Sequence, residues 1–135
     1  MLIPILVGFM LALAVSVYAI AIGLDRDRAF YPTVLIVVAS CYVLFAVMAG
    51  AGRAMIVEAC IATAFLVIAT VGFKHNSWFI VAALATHGIL DLVHGSVVSN
   101  PGVPPWWPAF CLTYDLTAAA FLAWRLNSRL PAQAE

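Results

Sequence analysis

Charged side chains are scarce in this sequence: six Lys or Arg and six Asp or Glu occur among 135 residues, and the formal net charge is zero. A protein that binds nucleic acid needs a basic surface to engage phosphates, so this balance excludes that class of partner. Apolar residues make up 66% of the chain and the mean hydropathy is +1.11, far above the composition of a soluble domain. The composition therefore predicts a polytopic membrane protein whose first partner is the lipid bilayer.

Cysteine is also sparse and does not indicate a disulfide framework. Cys41, Cys60 and Cys111 are the three cysteines, and each lies inside an apolar run. Their odd number and their hydrophobic setting favour separate thiols over paired ones. We expect them to be buried and chemically inert.

Five apolar runs approach the roughly 20 residues that a helix needs to cross a hydrocarbon layer of about 30 Å. Short linkers that are polar or rich in Pro and Gly separate them, and Ser77 is the expected N-cap of the fourth helix. We predict an all-α integral membrane bundle of five transmembrane helices, which forms one domain over residues 1–135. The predicted spans are about 2–24, 31–50, 54–73, 78–98 and 109–126.

Basic residues predict the orientation of the bundle. Five spans place the two termini on opposite sides of the membrane, and one side then holds five of the six basic residues: Arg26, Arg28, Lys74, Arg125 and Arg129. Only Arg53 lies on the other side. By the positive-inside rule, the amino terminus is outside and the carboxyl terminus is cytoplasmic, as in a multi-pass protein of the cell inner membrane. Short linkers at the first three junctions predict that sequence neighbours pack antiparallel.

The fourth span carries three ionisable side chains in its interior, which is unusual for a membrane helix. His87, Asp91 and His94 are spaced i, i+4 and i+7, so they share one face of the helix. Ionisable groups inside a membrane are costly and rare. This stripe therefore predicts a functional site that faces other helices and not lipid.

Counting residues from the outer surface brings further side chains to a similar depth. At 1.5 Å per residue, Glu58 and His94 lie about 6 Å below that surface, Asp91 about 10 Å and His87 about 16 Å. Asp115 in the fifth span comes to about 10–12 Å on the same count. We therefore expect four of these five residues to meet in the outer half of three successive helices.

Charge restricts what such a site can be, because the spans contain three carboxylates and no Lys or Arg. Buried carboxylates must be protonated, hydrated or bound to a cation. Imidazoles and carboxylates together are ligands for a divalent transition metal such as zinc, iron or manganese. We predict Glu58, Asp91, His94 and Asp115 as metal ligands. His87 is expected either to bind a second, deeper ion or to orient a ligand.

Four motifs resemble those of a family of small, uncharacterised bacterial multi-span membrane proteins. They are a glutamate in a mid-chain helix, here Glu58; the run from His87 to His94; the loop Pro105-Trp106-Trp107-Pro108; and a Cys-x-x-x-Asp helix, here Cys111 to Asp115. The resemblance covers roughly the last 80 residues and implies no known activity. A looser likeness joins the chain to histidine-box hydroxylases and desaturases and to intramembrane zinc amidohydrolases, whose box spacings and additional histidines it lacks.

Three classes of function remain open at this point. The first is a metal-dependent enzyme for a hydrophobic small-molecule substrate, with His87 and Asp115 as the catalytic residues that carry protons. The second is a transporter for a proton or a metal ion. The third is a non-catalytic subunit or assembly factor of a membrane complex, in which the polar residues only bond helices together. A homo-oligomer is compatible with each class.

Overall fold

The computed structural model describes residues 2–26 and 28–129 and contains five helices within them. Their bounds are α1 Leu2–Ile22, α2 Phe30–Met48, α3 Gly52–Lys74, α4 Trp78–Val97 and α5 Trp107–Arg129. The prediction of an all-α protein with five helices is confirmed, and each predicted end falls within three residues of the observed one. The first four helices are long and apolar enough to cross a membrane. The fifth is less apolar than these four.

Helix packing departs from the predicted order at the first junction. The closest pairs are α2 with α3, α4 with α5, and α1 with α5, while α3 and α4 touch less extensively. The expectation that sequence neighbours pack together is therefore wrong for α1, which lies against α5 instead of α2. The chain thus brings its first and last helices side by side.

The buried face of α1 explains this pairing. Its members are all small: Gly8, Ala12, Ser16 and Ala19. Such a face lets two helix backbones approach closely, which is a common basis of helix association in membranes. A side chain at Gly8 would overlap the backbone carbonyl of Phe110 and the hydroxyl of Thr113 on α5.

Apolar and polar buried groups occupy different halves of the bundle. One apolar core joins the first half of α2 and of α4 to the second half of α3 and of α5; its members include Leu35, Phe65, Ile80, Leu84, Ala118 and Leu122. The buried ionisable residues of α3, α4 and α5 lie beyond it, toward the end of α4. Packing therefore gathers the buried ionisable residues of α3, α4 and α5 in one half of the bundle.

Two linkers hold the helix ends in place. Before α4, the Asn76 side chain accepts a hydrogen bond from the backbone N–H of Trp78 at 3.0 Å. Ser77 occupies the N-cap position of α4, as predicted, but its hydroxyl makes no capping hydrogen bond and instead accepts one from Arg28 at 3.2 Å. The hydroxyl serves as a contact between two linkers and not as a helix cap.

The connection between α4 and α5 folds back onto α2. Asn100 donates a hydrogen bond from its side-chain amide to the backbone carbonyl of Tyr42 at 3.0 Å. Gly102 lies so close to the Phe45 carbonyl that any side chain there would overlap it. Trp107 packs edge to face on the Phe45 ring, with 4.9 Å between the ring centroids. These contacts place the loop over the buried ionisable residues.

We expect that Gly8→Ala weakens the contact between α1 and α5. The added methyl group meets a backbone carbonyl that cannot move independently, so the free energy of unfolding should fall by about 1–3 kcal/mol. Reversible unfolding in mixed detergent micelles measures this change. Gly52→Ala is the matched control, because a Cβ at Gly52 meets no atom within 4 Å. Equal effects of the two substitutions would contradict the close α1–α5 contact.

Candidate metal centre

Four buried side chains converge between α4 and α5. His87 and Asp91 project from α4, while Cys111 and Asp115 project from α5, and each pair is one helical turn apart on one face. One nitrogen, one sulfur and two carboxylate oxygens of this group lie within 4.8 Å of one another. We call these four residues the α4–α5 cluster. Such a cluster can hold a metal ion.

A glycine permits this close approach of the two helices. A Cβ at Gly88 would stand 3.2 Å from the Leu112 carbonyl oxygen and 3.3 Å from the Asp115 Cβ atom. A larger side chain at this position would push α5 away from α4. Gly88 follows His87 directly, so the small residue sets the helix spacing at the level of the cluster.

Hydrogen bonds connect the cluster internally. The His87 Nδ1 atom and the Asp115 Oδ2 atom share a hydrogen bond of 2.6 Å. The same nitrogen lies 3.7 Å from the Asp91 Oδ2 atom. The Cys111 thiol donates a weak hydrogen bond to the Asp115 Oδ2 atom at 3.8 Å. His87 and Asp115 are therefore the central pair. Asp91 lies beside His87, and Cys111 lies beside Asp115.

Tyr42 extends the cluster to α2. Its hydroxyl donates a hydrogen bond of 2.6 Å to the Asp91 Oδ1 atom, and both groups are buried. This bond orients the Asp91 carboxylate, so that its second oxygen turns toward His87. A tyrosine on a third helix thus acts as a positioning residue for the cluster.

The two carboxylates of the cluster are not fully paired. Among the described residues, neither the Asp91 Oδ2 atom nor the Asp115 Oδ1 atom has a hydrogen-bond partner, although both are buried. Within the same residues, no Lys or Arg forms an ion pair with either side chain; Arg125 pairs with Asp25 near the opposite end of the bundle. Buried polar atoms without a partner are rare and costly. A cation held by the cluster would offset the cost of these buried carboxylates.

A second group lies nearer the end of α4. The His94 Nε2 atom and the Glu58 Oε1 atom share a hydrogen bond of 2.8 Å. Asn100 donates to the same glutamate oxygen at 3.0 Å. The His94 ring stacks on the Tyr42 ring with 4.0 Å between their centroids. We call Glu58 and His94 the outer pair.

The predicted site residues thus divide into two sets. Asp91, Asp115 and His87 come together in the α4–α5 cluster, whereas the sequence predicted His87 to bind a second, deeper ion or to orient a ligand. Glu58 and His94 bond to each other and are not members of that cluster. Their assignment as ligands of the same ion stays a prediction, as do the catalytic roles of His87 and Asp115.

Sequence reasoning overlooked three residues of this region. Cys111 was expected to be inert, although its position four residues before Asp115 already placed both on one helical face. Tyr42 and Asn100 lie 49 and 42 residues, respectively, from the side chains to which they bond. No local spacing links such distant positions, so only the packing of α2 and of the loop identifies them.

The donor atoms of the cluster suit a transition metal. One imidazole, one thiol and two carboxylates are the ligand types found at zinc and iron sites. Donors around a tetrahedral zinc ion lie about 3.3–3.8 Å apart, given metal–ligand bonds of about 2.0–2.3 Å. The observed spread of up to 4.8 Å is therefore about 1 Å wider than the bound geometry requires. Small side-chain rotations can close this gap.

Comparison of the chain with protein-family models, with curated proteins and with solved structures found no match. Only the geometry of the chain's own side chains therefore indicates what the site binds.

We expect that Tyr42→Phe destabilises the bundle by leaving the buried Asp91 Oδ1 atom without its donor. The loss should be about 1–3 kcal/mol in the free energy of unfolding, which is the usual cost of an unsatisfied buried acceptor. Unfolding in mixed micelles checks the value. Tyr18→Phe is the control, because Tyr18 is 61% exposed. A variant as stable as the parent would contradict the positioning role of Tyr42.

Proposed function

We propose that this chain is an integral membrane protein that binds a divalent transition metal ion through His87, Asp91, Cys111 and Asp115. The observation that carries the proposal is the set of four buried donors within 4.8 Å, two of which belong to carboxylates with an unpartnered oxygen. Desolvated carboxylates without a counter-charge are strongly disfavoured in an apolar medium. A metal ion supplies that charge.

In the membrane we place five spans, with the amino terminus outside and the carboxyl terminus in the cytoplasm. Large apolar side chains cover the outward faces of the first four helices; examples are Met10, Leu44, Leu66 and Leu92. Exposed apolar surface of this extent suits lipid contact. Helix α5 lies between α1 and α4 and also touches α2, so it exposes less surface and can carry more polar residues. We propose the cell inner membrane as the location of the protein, in agreement with the orientation predicted from the basic residues.

Among the metals predicted from the sequence, the cluster favours zinc or iron over manganese. A thiolate is a soft ligand that suits zinc and iron, whereas manganese prefers oxygen donors. Cys111 therefore reduces the candidate metals from zinc, iron and manganese to zinc and iron. Ligation of the ion by Glu58 and His94, as the sequence predicted, requires both side chains to leave their mutual hydrogen bond.

The function that best suits such a centre is that of a metal-dependent enzyme acting on a hydrophobic small molecule. A bound metal can polarise an oxygen atom of a substrate or activate a water molecule. His87 and Asp115 share a hydrogen bond of 2.6 Å, and an atom of either side chain that does not bind the ion would accept a proton from a reacting group. The substrate would enter from the lipid bilayer.

The transporter alternative is less well supported. A transported ion would have to cross the half of the bundle that contains Leu35, Phe65, Leu84 and Leu122, which form a close-packed apolar core. A subunit or assembly factor would tolerate Asn or Gln in place of the buried acids, whereas a metal centre would not. Metal content therefore separates the enzyme proposal from the third alternative.

The first experiment is elemental analysis of the detergent-purified protein by inductively coupled plasma mass spectrometry. We expect about one equivalent of zinc or iron in the parent, as for a four-ligand site. The double substitution Asp91→Asn, Asp115→Asn should lower the content at least tenfold, because two of the four ligands lose their charge. A parent protein free of metal after purification and after reconstitution would contradict the proposal.

Cobalt substitution tests the role of the thiol. A cobalt ion bound to a thiolate gives a charge-transfer band in the near ultraviolet, and we expect this band in the parent. Cys111→Ser should abolish it, since the only thiol of the cluster is then absent. Cys60→Ser is the matched control, because Cys60 is exposed on α3. Retention of the band in Cys111→Ser would exclude Cys111 as a ligand.

A further inference from the structure

A surface cleft opens beside the outer pair. It has a volume of about 310 Å³ and lies between the end of α4 and the loop that leads to α5. We call it the loop cleft. Its walls are formed mainly by Pro101, Val103, Pro104, Pro105 and Pro108, and its polar lining includes His94, Ser99 and Asn100. An imidazole that is otherwise buried therefore borders a space open to the surface.

The outer pair is held rigidly at this cleft. Glu58 receives hydrogen bonds from Asn100 and from His94 on the same oxygen atom. Asn100 is itself fixed to the backbone of Tyr42. Both side chains of the outer pair are buried within the bundle, while one of them lines the cleft. The pair thus holds the Glu58 carboxylate directly behind His94, the member that lines the cleft.

A continuous chain of contacts leads from the outer pair to the α4–α5 cluster. His94 stacks on Tyr42, and the Tyr42 hydroxyl bonds to Asp91. On α4, His94 follows Asp91 by three residues, or about 4.5 Å along the helix axis. The apolar core closes the other side of the cluster, so the loop cleft offers the short polar approach.

We propose that Glu58 and His94 form an entry site, at which a divalent cation binds first on its way from the loop cleft to the α4–α5 cluster. This inference rests on the proposed metal-binding function. The arriving cation takes the place of the proton between the His94 Nε2 and Glu58 Oε1 atoms. That proton passes to water, His94 stays neutral with its ring proton on Nδ1, and Glu58 binds the ion as a carboxylate. The ion then moves past Asp91, the nearest cluster residue on α4.

Ligand number and charge both suit a transient site. Two protein ligands bind a divalent ion more weakly than four, so the ion is not retained at the outer pair. Glu58 places a carboxylate directly behind His94, which favours a cation over a neutral ligand at this position. By contrast, the larger cleft at the opposite end of α4, about 460 Å³ in volume, is lined by Arg28, Arg125 and Asp25. Arg125 pairs with Asp25, so Arg28 leaves a net positive charge among these three residues, which disfavours a cation.

The test is the rate at which cobalt loads into the metal-free protein in detergent, followed by the charge-transfer band of Cys111. We expect Glu58→Gln and His94→Ala each to slow loading about tenfold, because a charge or a ligand is lost at the entrance. The final cobalt content and spectrum should equal those of the parent, since the α4–α5 cluster is intact. Gly95→Trp should also slow loading, because Gly95 lines the cleft and its Cβ position is open.

The matched control is His75→Ala, which removes an imidazole from the cleft at the opposite end. It should load at the parent rate. Slower loading in His75→Ala than in His94→Ala, or parent rates in all variants, would overturn the entry site while leaving the metal centre intact. A lower final cobalt content in His94→Ala would make His94 a ligand of the resident ion and would also overturn it. Absence of cobalt binding in the parent would instead defeat the proposed function itself.

Discussion

Three carboxylates buried without a lysine or arginine partner impose the main constraint on this bundle. Within the described residues, Glu58, Asp91 and Asp115 are bonded only to imidazoles, a phenol, an amide and a thiol. Hydrogen bonds from these groups lower the free-energy cost of burying the carboxylates. The Asp91 Oδ2 and Asp115 Oδ1 atoms still lack a hydrogen-bond partner among the described residues. The helices that carry the acids must therefore pack together. Their packing brings four side chains close enough that they could hold a metal ion.

Small residues allow that arrangement to form. Gly88 brings α4 to within van der Waals distance of the α5 backbone, and Gly8 does the same for α1. Close backbone approach is a main source of helix association where lipid removes the hydrophobic driving force. The position of α5 between α1 and α4 then shields Asp115, which is fully buried. The burial of Asp115 therefore depends on the small residues Gly8 and Gly88, which let α1 and α4 approach α5.

The two halves of the bundle differ in the side chains that they bury. Metal-ligand types lie toward the end of α4, and large apolar side chains fill the other half. All four residues of the cluster are buried, and the apolar core separates them from the opposite end of the bundle. The proposed chemistry on a hydrophobic molecule and the proposed entry site at the outer pair both depend on this separation.

The sequence by itself determined the five helices and identified His87, Asp91 and Asp115 as candidate site residues, because hydropathy and i, i+4 spacing are local properties. Only the tertiary structure decided that α1 pairs with α5, that Cys111 and Tyr42 join the cluster, and that Glu58 bonds to His94. The physical reason is that lipid and protein interior are equally apolar. Hydrophobic periodicity therefore does not reveal which face of a membrane helix packs on which neighbour.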